Sequence, residues 1–263
     1  MKFPIFNYIS KFTGLVTKIY IPFPLNILVF WCVKRVLGIS LKDSDLKLSE
    51  IKTVNQLFTR TLISKDRPIS NTANFVVPCD SKFVAAVSIT DKSSIKIKNI
   101  SLDLNLFLQT NLTHYKAALL SFYLSPKDCH HVFMPTDAQI QAVTHIPGNL
   151  YPVSPLLARV FPRAFIENER VVITCKSADT TWYLVFVGAL NVGKIHIKFC
   201  PECQTNCNQK KVTQYNAGFA LKKGDPLGYF EMGSSVLIVH PELNESQFDE
   251  FVDTHVCYGE KLI

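Results

Sequence analysis

From Phe75 to the C-terminus the chain is cut into short β-branched and aromatic runs, and this texture limits the fold more than any other feature. The runs are Phe75–Val77, Phe83–Ile89, Ile95–Ile100, Val171–Ile173, Trp182–Val187, Lys194–Phe199 and Val236–Val239. Turn residues such as Asp-Lys-Ser-Ser, Pro-Gly-Asn and Lys-Lys-Gly-Asp separate them, which reads as strands joined by short connections. Helical patterns within this part are few, with Leu102–Thr110 and Tyr115–Leu124 the best. Ahead of it, Val54–Arg60 also reads as a helix, and no repeat period is visible.

The first part of the chain has another character. Lys plus Arg exceeds Asp plus Glu by 7 over the 263 residues. The first acid is Asp43, and Lys2, Lys11, Lys18, Lys34, Arg35 and Lys42 precede it, so six of the seven excess charges lie in residues 1–42. Among them stand Phe3, Ile5, Phe6, Tyr8, Ile9, Phe12, Leu15, Val16 and Ile19, spaced to cover much of one helix face. Basic residues flanking a broad apolar face suit an anionic membrane surface. A nucleic-acid groove calls for denser basic side chains and a thinner apolar face, so nucleic acid is not an expected partner.

The longest uncharged stretch, Ile19–Val33, has 15 residues and contains Pro22 and Pro24. A spanning helix needs about 20 apolar residues. The same prolines, and the lack of a small-residue cleavage site, argue against a signal peptide. Eight scattered cysteines suggest a reducing surrounding rather than a disulfide framework. The expected fold class is α+β, with N-terminal membrane-associated helices followed by a β-rich sandwich or open-barrel body. Residues 1–42 form the basic amphipathic segment and residues 43–263 the body. The expected location is peripheral, on the cytoplasmic face of the inner cell membrane.

Three segments hold residues able to do chemistry. Leu227–Ile238 places Gly233-Ser234 between two strand-like runs. A strained bend there brings the Ser234 hydroxyl near the preceding carbonyl, as an N-to-O acyl shift requires, although Gly-Ser is also a common turn. Ser125–Pro135 contains His130 and His131, which on a strand point to opposite faces and are each equally at home as satisfied core or surface histidines. Val77–Ser81 ends a strand with Asp80, whose plainer role is a turn residue.

Taken in order, these segments resemble the phosphatidylserine decarboxylase proenzyme family over nearly the whole chain. Asn55–Arg60 followed by Arg67-Pro68-Ile69 is similar to the family's Asn-x-Phe-Phe-x-Arg and Arg-Pro-Ile pieces. Val77-Pro78-Cys79-Asp80 resembles its Ser-Pro-Cys-Asp-Gly, and Asp128–Pro135 its Asp-Tyr-His-Arg-x-His-x-Pro. Asn168-Glu169-Arg170-Val171 matches Asn-Glu-Arg-Val, and Val187-Gly188-Ala189 with Val192-Gly193 matches Val-Gly-Ala-x-x-Val-Gly. Lys223–Ser235 resembles Lys-Gly-x-x-x-Gly-x-Phe-x-x-Gly-Ser-Thr.

The resemblance implies a precursor that cuts itself between Gly233 and Ser234, leaving chains 1–233 and 234–263. Ser234 then becomes a covalent pyruvoyl group, an electron sink for decarboxylating phosphatidylserine to phosphatidylethanolamine plus CO2. It further implies that Asp80 helps to activate Ser234 and that His130 serves the decarboxylation. The implied partners are phosphatidylserine, an anionic membrane surface and the chain's own small fragment. A homodimer is left open.

Three positions depart from the family's pattern. Phe133 stands where the resemblance puts the histidine that acts as base in self-cleavage, Ser81 follows Asp80 in place of Gly, and Asp137-Ala138 replaces an acid-Gly pair. Loss of a general base typically costs about 10²–10⁴ in rate. An unprocessed, non-catalytic lipid-binding relative is therefore the alternative expectation. Outside the pattern, His196 with Cys200, Cys203 and Cys207 has partial zinc-site spacing. Only one short ligand cluster is present, so free loop thiols are the expectation and no metal is assigned.

Overall fold

The structure is a computed structural model and describes all residues except 1–4, 64, 66, 90–93, 98–99, 113–115, 154–163, 192–193 and 208. It opens with α1 (Ile5–Val16), α2 (Leu25–Leu37) and the short α3 (Val54–Phe58). α2 starts directly after Pro24 and stops at Gly38, whose φ of +70° turns the chain left-handed while its N–H closes onto Lys34. α3 begins with a reciprocal cap between Thr53 and Gln56. Phe30 and Ile39 pack with Ile51 and Leu57 in a small core that joins the two sides of position 42.

α1 is turned the opposite way from an ordinary surface helix. Tyr8, Phe12 and Leu15 are 70%, 68% and 71% exposed, while Ser10 and Thr17 are buried. Asn7, Ser10, Thr13 and Thr17 recur every three or four residues and so form one stripe. Leu150 donates its N–H to Asn7 Oδ1, Asn191 donates its N–H to Ser10 Oγ, and the Thr13 hydroxyl donates to Asn191 Oδ1. Polar contacts, with Phe6 edge-on to Tyr151, thus seat the helix, and Tyr8, Phe12 and Leu15 face away from the protein.

The described residues contain thirteen strands: β1 (Ser81–Ile89), β2 (Ser94–Ile97), β3 (Ile100–Asp103), β4 (Ala117–Leu124), β5 (His131–Phe133), β6 (Ala138–Ile146), β7 (Arg170–Ser177), β8 (Thr180–Val187), β9 (Ile195–Ile197), β10 (Thr213–Leu221), β11 (Pro226–Phe230), β12 (Ser234–His240) and β13 (His255–Val256). Eight of them form one antiparallel sheet in the order β10-β6-β7-β8-β12-β4-β1-β13. A second sheet, β5-β11-β9, packs over one face, where Val236 and Ile238 meet Val132, Ile197 and Leu227. On the other face Leu237 and Val239 meet Leu104, Phe107 and Leu108 of α4 (Leu104–Leu108). A last helical turn, α5 (Ala164–Glu167), precedes β7.

The α+β expectation stands, as a large antiparallel sheet with few helices, and among the described residues the sheet does not close into a barrel. Leu102–Thr110 does hold a helix, α4, capped by Asp103. Tyr115–Leu124 is corrected: its described part is β4, not a helix. That strand is buried on both faces and lacks alternation, and a continuous apolar run does not distinguish a doubly covered strand from a buried helix. Ile95–Ile100 is split between β2 and β3, and Phe75–Val77 makes only an isolated bridge, Val76 to Lys261. No helix among the described residues is long and apolar enough to cross a membrane.

Register places the candidate residues at one end of the large sheet. A row of paired residues runs Ile146, Arg170, Val187, Ser235, Tyr123, Lys82, His255 across seven strands. The loops that receive α1, at Leu150 and Asn191, leave the sheet at this same end.

Candidate active site

Ser234 is the first residue of β12 and pairs with Leu124 of β4. It is fully buried, and its Oγ has no hydrogen-bond partner among the described residues. The expected strained bend before it is not what the structure holds. Gly233 is not among the residues with positive φ, and a Cβ built there would meet nothing nearer than the Leu124 carbonyl oxygen at 3.9 Å. Gly233 supplies room, not strain. Gly228 of β11 is different: a Cβ would fall 2.1 Å from the His196 carbonyl oxygen, so only glycine lets β11 pass so close to β9.

β11 brings His130 towards this turn, because Phe230 donates its N–H to the His130 carbonyl at 3.1 Å. The His130 imidazole lies fully buried, edge-on to Phe58 at 5.3 Å between centroids. Its Nδ1 is 2.9 Å from the Asp128 carbonyl oxygen. A carbonyl only accepts, so Nδ1 carries the proton, and in the neutral ring Nε2 is left with a bare lone pair. That Nε2 has no partner among the described residues. Burial lowers the imidazole to about 4, so it is uncharged at neutral pH. His131 points elsewhere, as expected, with Nε2 3.1 Å from the Thr59 carbonyl and its ring stacked on Tyr229.

Asp80 is buried too, but both of its oxygens are engaged. Tyr258 donates its N–H to Oδ1 at 2.9 Å, and Arg67 reaches Oδ1 and Oδ2 at 3.3 Å each. Arg67 also pairs with Asp43 at 2.8 Å. Burial raises the Asp80 carboxyl above its ordinary range, and the Tyr258 N–H and the guanidinium offset that only in part. Through the paired row Ser235, Tyr123 and Lys82, the segments bearing Ser234 and Asp80 lie two strands apart, roughly 10 Å. Serine, histidine and aspartate therefore share one end of the sheet without forming a hydrogen-bonded chain.

Phe133 explains part of that gap. Its N–H donates to Pro78 at 2.8 Å, which sets it beside the segment leading to Asp80. Its ring stacks on Tyr258 with centroids 3.7 Å apart. Tyr258, whose backbone holds Asp80, thus covers the Phe133 ring.

Two features of the site were not anticipated from sequence. Arg67 was noted only as part of Arg-Pro-Ile, and nothing local marks it as the clamp on Asp80. The other is a pair, His255 Nε2 to Asp128 Oδ1 at 2.8 Å, with the second Asp128 oxygen taken by the Ser125 N–H and hydroxyl. Arg60, Arg67, Asp80, Lys127, Asp128 and His255 line one surface pocket. Its walls do not include Ser234 or His130. His196 is committed to Glu231 at 3.0 Å, and among the described residues no group is placed to hold a metal ion. The zinc reading therefore gains no support. Val192 and Gly193 lie outside the described residues.

Comparison with known proteins agrees with the motif order. The family model described as phosphatidylserine decarboxylase matches residues 54–263. A phosphatidylserine decarboxylase proenzyme of Helicobacter pylori is 33% identical over 233 residues, 87% of this chain and 85% of that protein. One from Nitrosospira multiformis is 32% identical over 234 residues, covering 85% and 80%. The mitochondrial proenzyme of Rattus norvegicus is 24% identical over 288 residues, covering 97% and 71%.

Proposed function

The chain belongs to the phosphatidylserine decarboxylase family, and from that membership we propose that it cuts itself at Gly233–Ser234 and decarboxylates phosphatidylserine. The observation that carries this reading is Ser234 itself: a buried hydroxyl without a partner among the described residues, at the head of a central strand, preceded by a residue with free space around it. An unpaired buried hydroxyl costs about 1–3 kcal/mol, and at the residue the family's motif singles out that cost supports a role beyond packing.

The chemistry begins with Ser234 Oγ adding to the Gly233 carbonyl carbon. The C–N bond breaks, the departing nitrogen takes the hydroxyl proton, and Gly233 is left as an ester on Oγ. Loss of the Ser234 Cα proton expels Gly233 as a carboxylate, and water then displaces the nitrogen as ammonia to leave a pyruvoyl terminus. When formed, that group supplies a conjugated carbonyl able to hold the electrons released with CO2. The residues fit it: the position is fully buried, and His130 is neutral with an Nε2 that has no partner among the described residues at the same end of the sheet. We assign His130 to holding or moving a proton at Nε2 during decarboxylation. Asp80, tied to Arg67, acts by fixing the segment beside Phe133 and by its charge.

We also read α1 and α2 as the membrane contact, on the cytoplasmic face of the inner cell membrane. Support comes from the exposed Phe12, Leu15, Phe23, Leu28 and Trp31, with Lys11, Lys34 and Arg35 among them. Flotation with vesicles containing anionic phospholipid should retain the chain, and Phe12→Glu with Leu15→Glu should release it. The test of function is a denaturing gel with mass measurement of the purified protein. A fragment of residues 234–263 with a modified first residue is expected, and an intact chain after long incubation overturns the proposal. One observation favours a second reading, an uncut lipid-binding relative: the Phe133–Tyr258 stack fills the place of the missing imidazole.

A further inference from the structure

We propose that Lys18 is a positioning residue for self-cleavage, holding through Glu231 the turn that carries the Gly233–Ser234 bond. The inference rests on the cleavage reading above and adds to it the group that sets the turn. Lys18 stands two residues past α1, in the basic N-terminal segment. Its Nζ donates to Glu231 Oε1 at 2.9 Å, and His196 Nε2 lies 3.0 Å from the same oxygen. The Glu231 side chain is only 7% exposed against 47% for Lys18, so a surface cation reaches inward to a buried carboxylate. Such a carboxylate must be paired or hydrogen-bonded to stay where it is. Burial pushes its acidity down, yet the bonds from His196 and Lys18 more than reverse this and keep the carboxyl below its ordinary range.

Hydrogen bonds and ring contacts hold the chain on both sides of the turn. The Glu231 N–H donates to Lys194 at 3.0 Å, and the preceding Tyr229 is stacked between His131 and His196 at 5.2 and 4.6 Å. On the other side the chain is fixed again from Ser234, where pairing with Leu124 starts. Met232 and Gly233 alone bridge these two fixed points, and both are half-buried with space at the glycine. The placement of the scissile carbonyl against Ser234 Oγ is therefore set by where Glu231 is held. Losing Lys18 leaves that carboxylate on His196 alone and lets it swing towards water. A misplacement of about 1 Å can cost up to about 10² in rate, so the loss should be read as slower cutting and not as unfolding.

The test uses the full chain made by cell-free synthesis, which defines time zero, with cleavage followed by denaturing gel and mass measurement. Lys18→Met should slow appearance of the 234–263 fragment by about 10- to 100-fold with an unchanged thermal midpoint. Lys18→Arg should keep the original rate. The exchange of charges, Lys18→Glu with Glu231→Lys, should cut faster than Lys18→Glu alone. Equal rates for the unaltered chain and Lys18→Met overturn the proposal and leave the cleavage reading intact, as does an arginine variant no faster than the methionine one. Absence of the fragment from the unaltered chain overturns the cleavage reading, and this proposal with it.

Discussion

Ser234 and Asp80 sit at the same end of one sheet, yet their surroundings are opposite. The polar groups near β12, Ser234 Oγ and His130 Nε2, are buried and unpartnered among the described residues. Asp80, just before β1, is buried with a donor on each oxygen. A protein interior normally satisfies its polar groups; Asn26, Asn55, Arg60, Thr110 and His145 also hold an unpartnered side-chain atom, and what sets Ser234 and His130 apart is that Phe230 ties the His130 segment to the turn ahead of Ser234. Stability accounts for the aspartate's side of the sheet. On the serine's side the arrangement leaves a hydroxyl and an imidazole nitrogen free of competing bonds among the described residues, as the proposed self-cleavage and decarboxylation require.

The sharpest way to break this contrast is Ser234→Ala. It should abolish the small fragment altogether while unfolding free energy holds or rises by no more than about 1 kcal/mol, because no bond is lost. A chain that melts earlier would mean that the hydroxyl is satisfied after all. Next is Phe133→His, which puts an imidazole beside the Asp80 segment and removes the Tyr258 stack. Cleavage should accelerate by about 10²–10⁴. If time courses of fragment release are unaltered, the missing imidazole is not what limits the reaction.

His130 provides the third test through acidity. Its folded value, about 4, lies below the ordinary 6.5, so between those values the unfolded chain binds more protons than the folded one. Stability from this group is then complete above pH 6.5 and is lost as pH falls towards 4, by about 3 kcal/mol in all. Denaturant titrations at several pH values should show His130→Gln losing about that much less on acidification. The smallest effect belongs to Asp80→Asn. Arg67 keeps Asp43, so the cost should be about 1–3 kcal/mol, seen as a lower denaturant midpoint. A shift near zero would mean that the clamp is idle.

Local features were legible where neighbours in sequence determine them. The helix begun at Val54 and the strand at Val236–Val239 follow from adjacent residues. The order of Gly233, Ser234, His130 and Asp80 along the chain was equally plain. What stayed hidden is set by pairing across long separations. Nothing near Ser234 indicates that Leu124 lies opposite it, and the apolar stretch carrying Leu124 looked like a helix for that reason. His255 reaches Asp128 because β13 returns to the edge beside β1, and Arg67 reaches Asp80 across an irregular stretch whose path no local pattern gives. α1 was read correctly as amphipathic, but hydrophobic spacing alone does not reveal that its polar stripe is the one buried.

The strand order carries one more consequence. β12 runs between β8 and β4, in the interior of the sheet, and the tail beyond it returns to Phe75 through Leu262 and Ile263. A break just ahead of β12 would free no edge and loosen no layer. The last thirty residues would be trapped by their neighbours on both sides. Each molecule would keep for its lifetime the piece it had severed, so isotopically distinct copies mixed under native conditions should never trade tails.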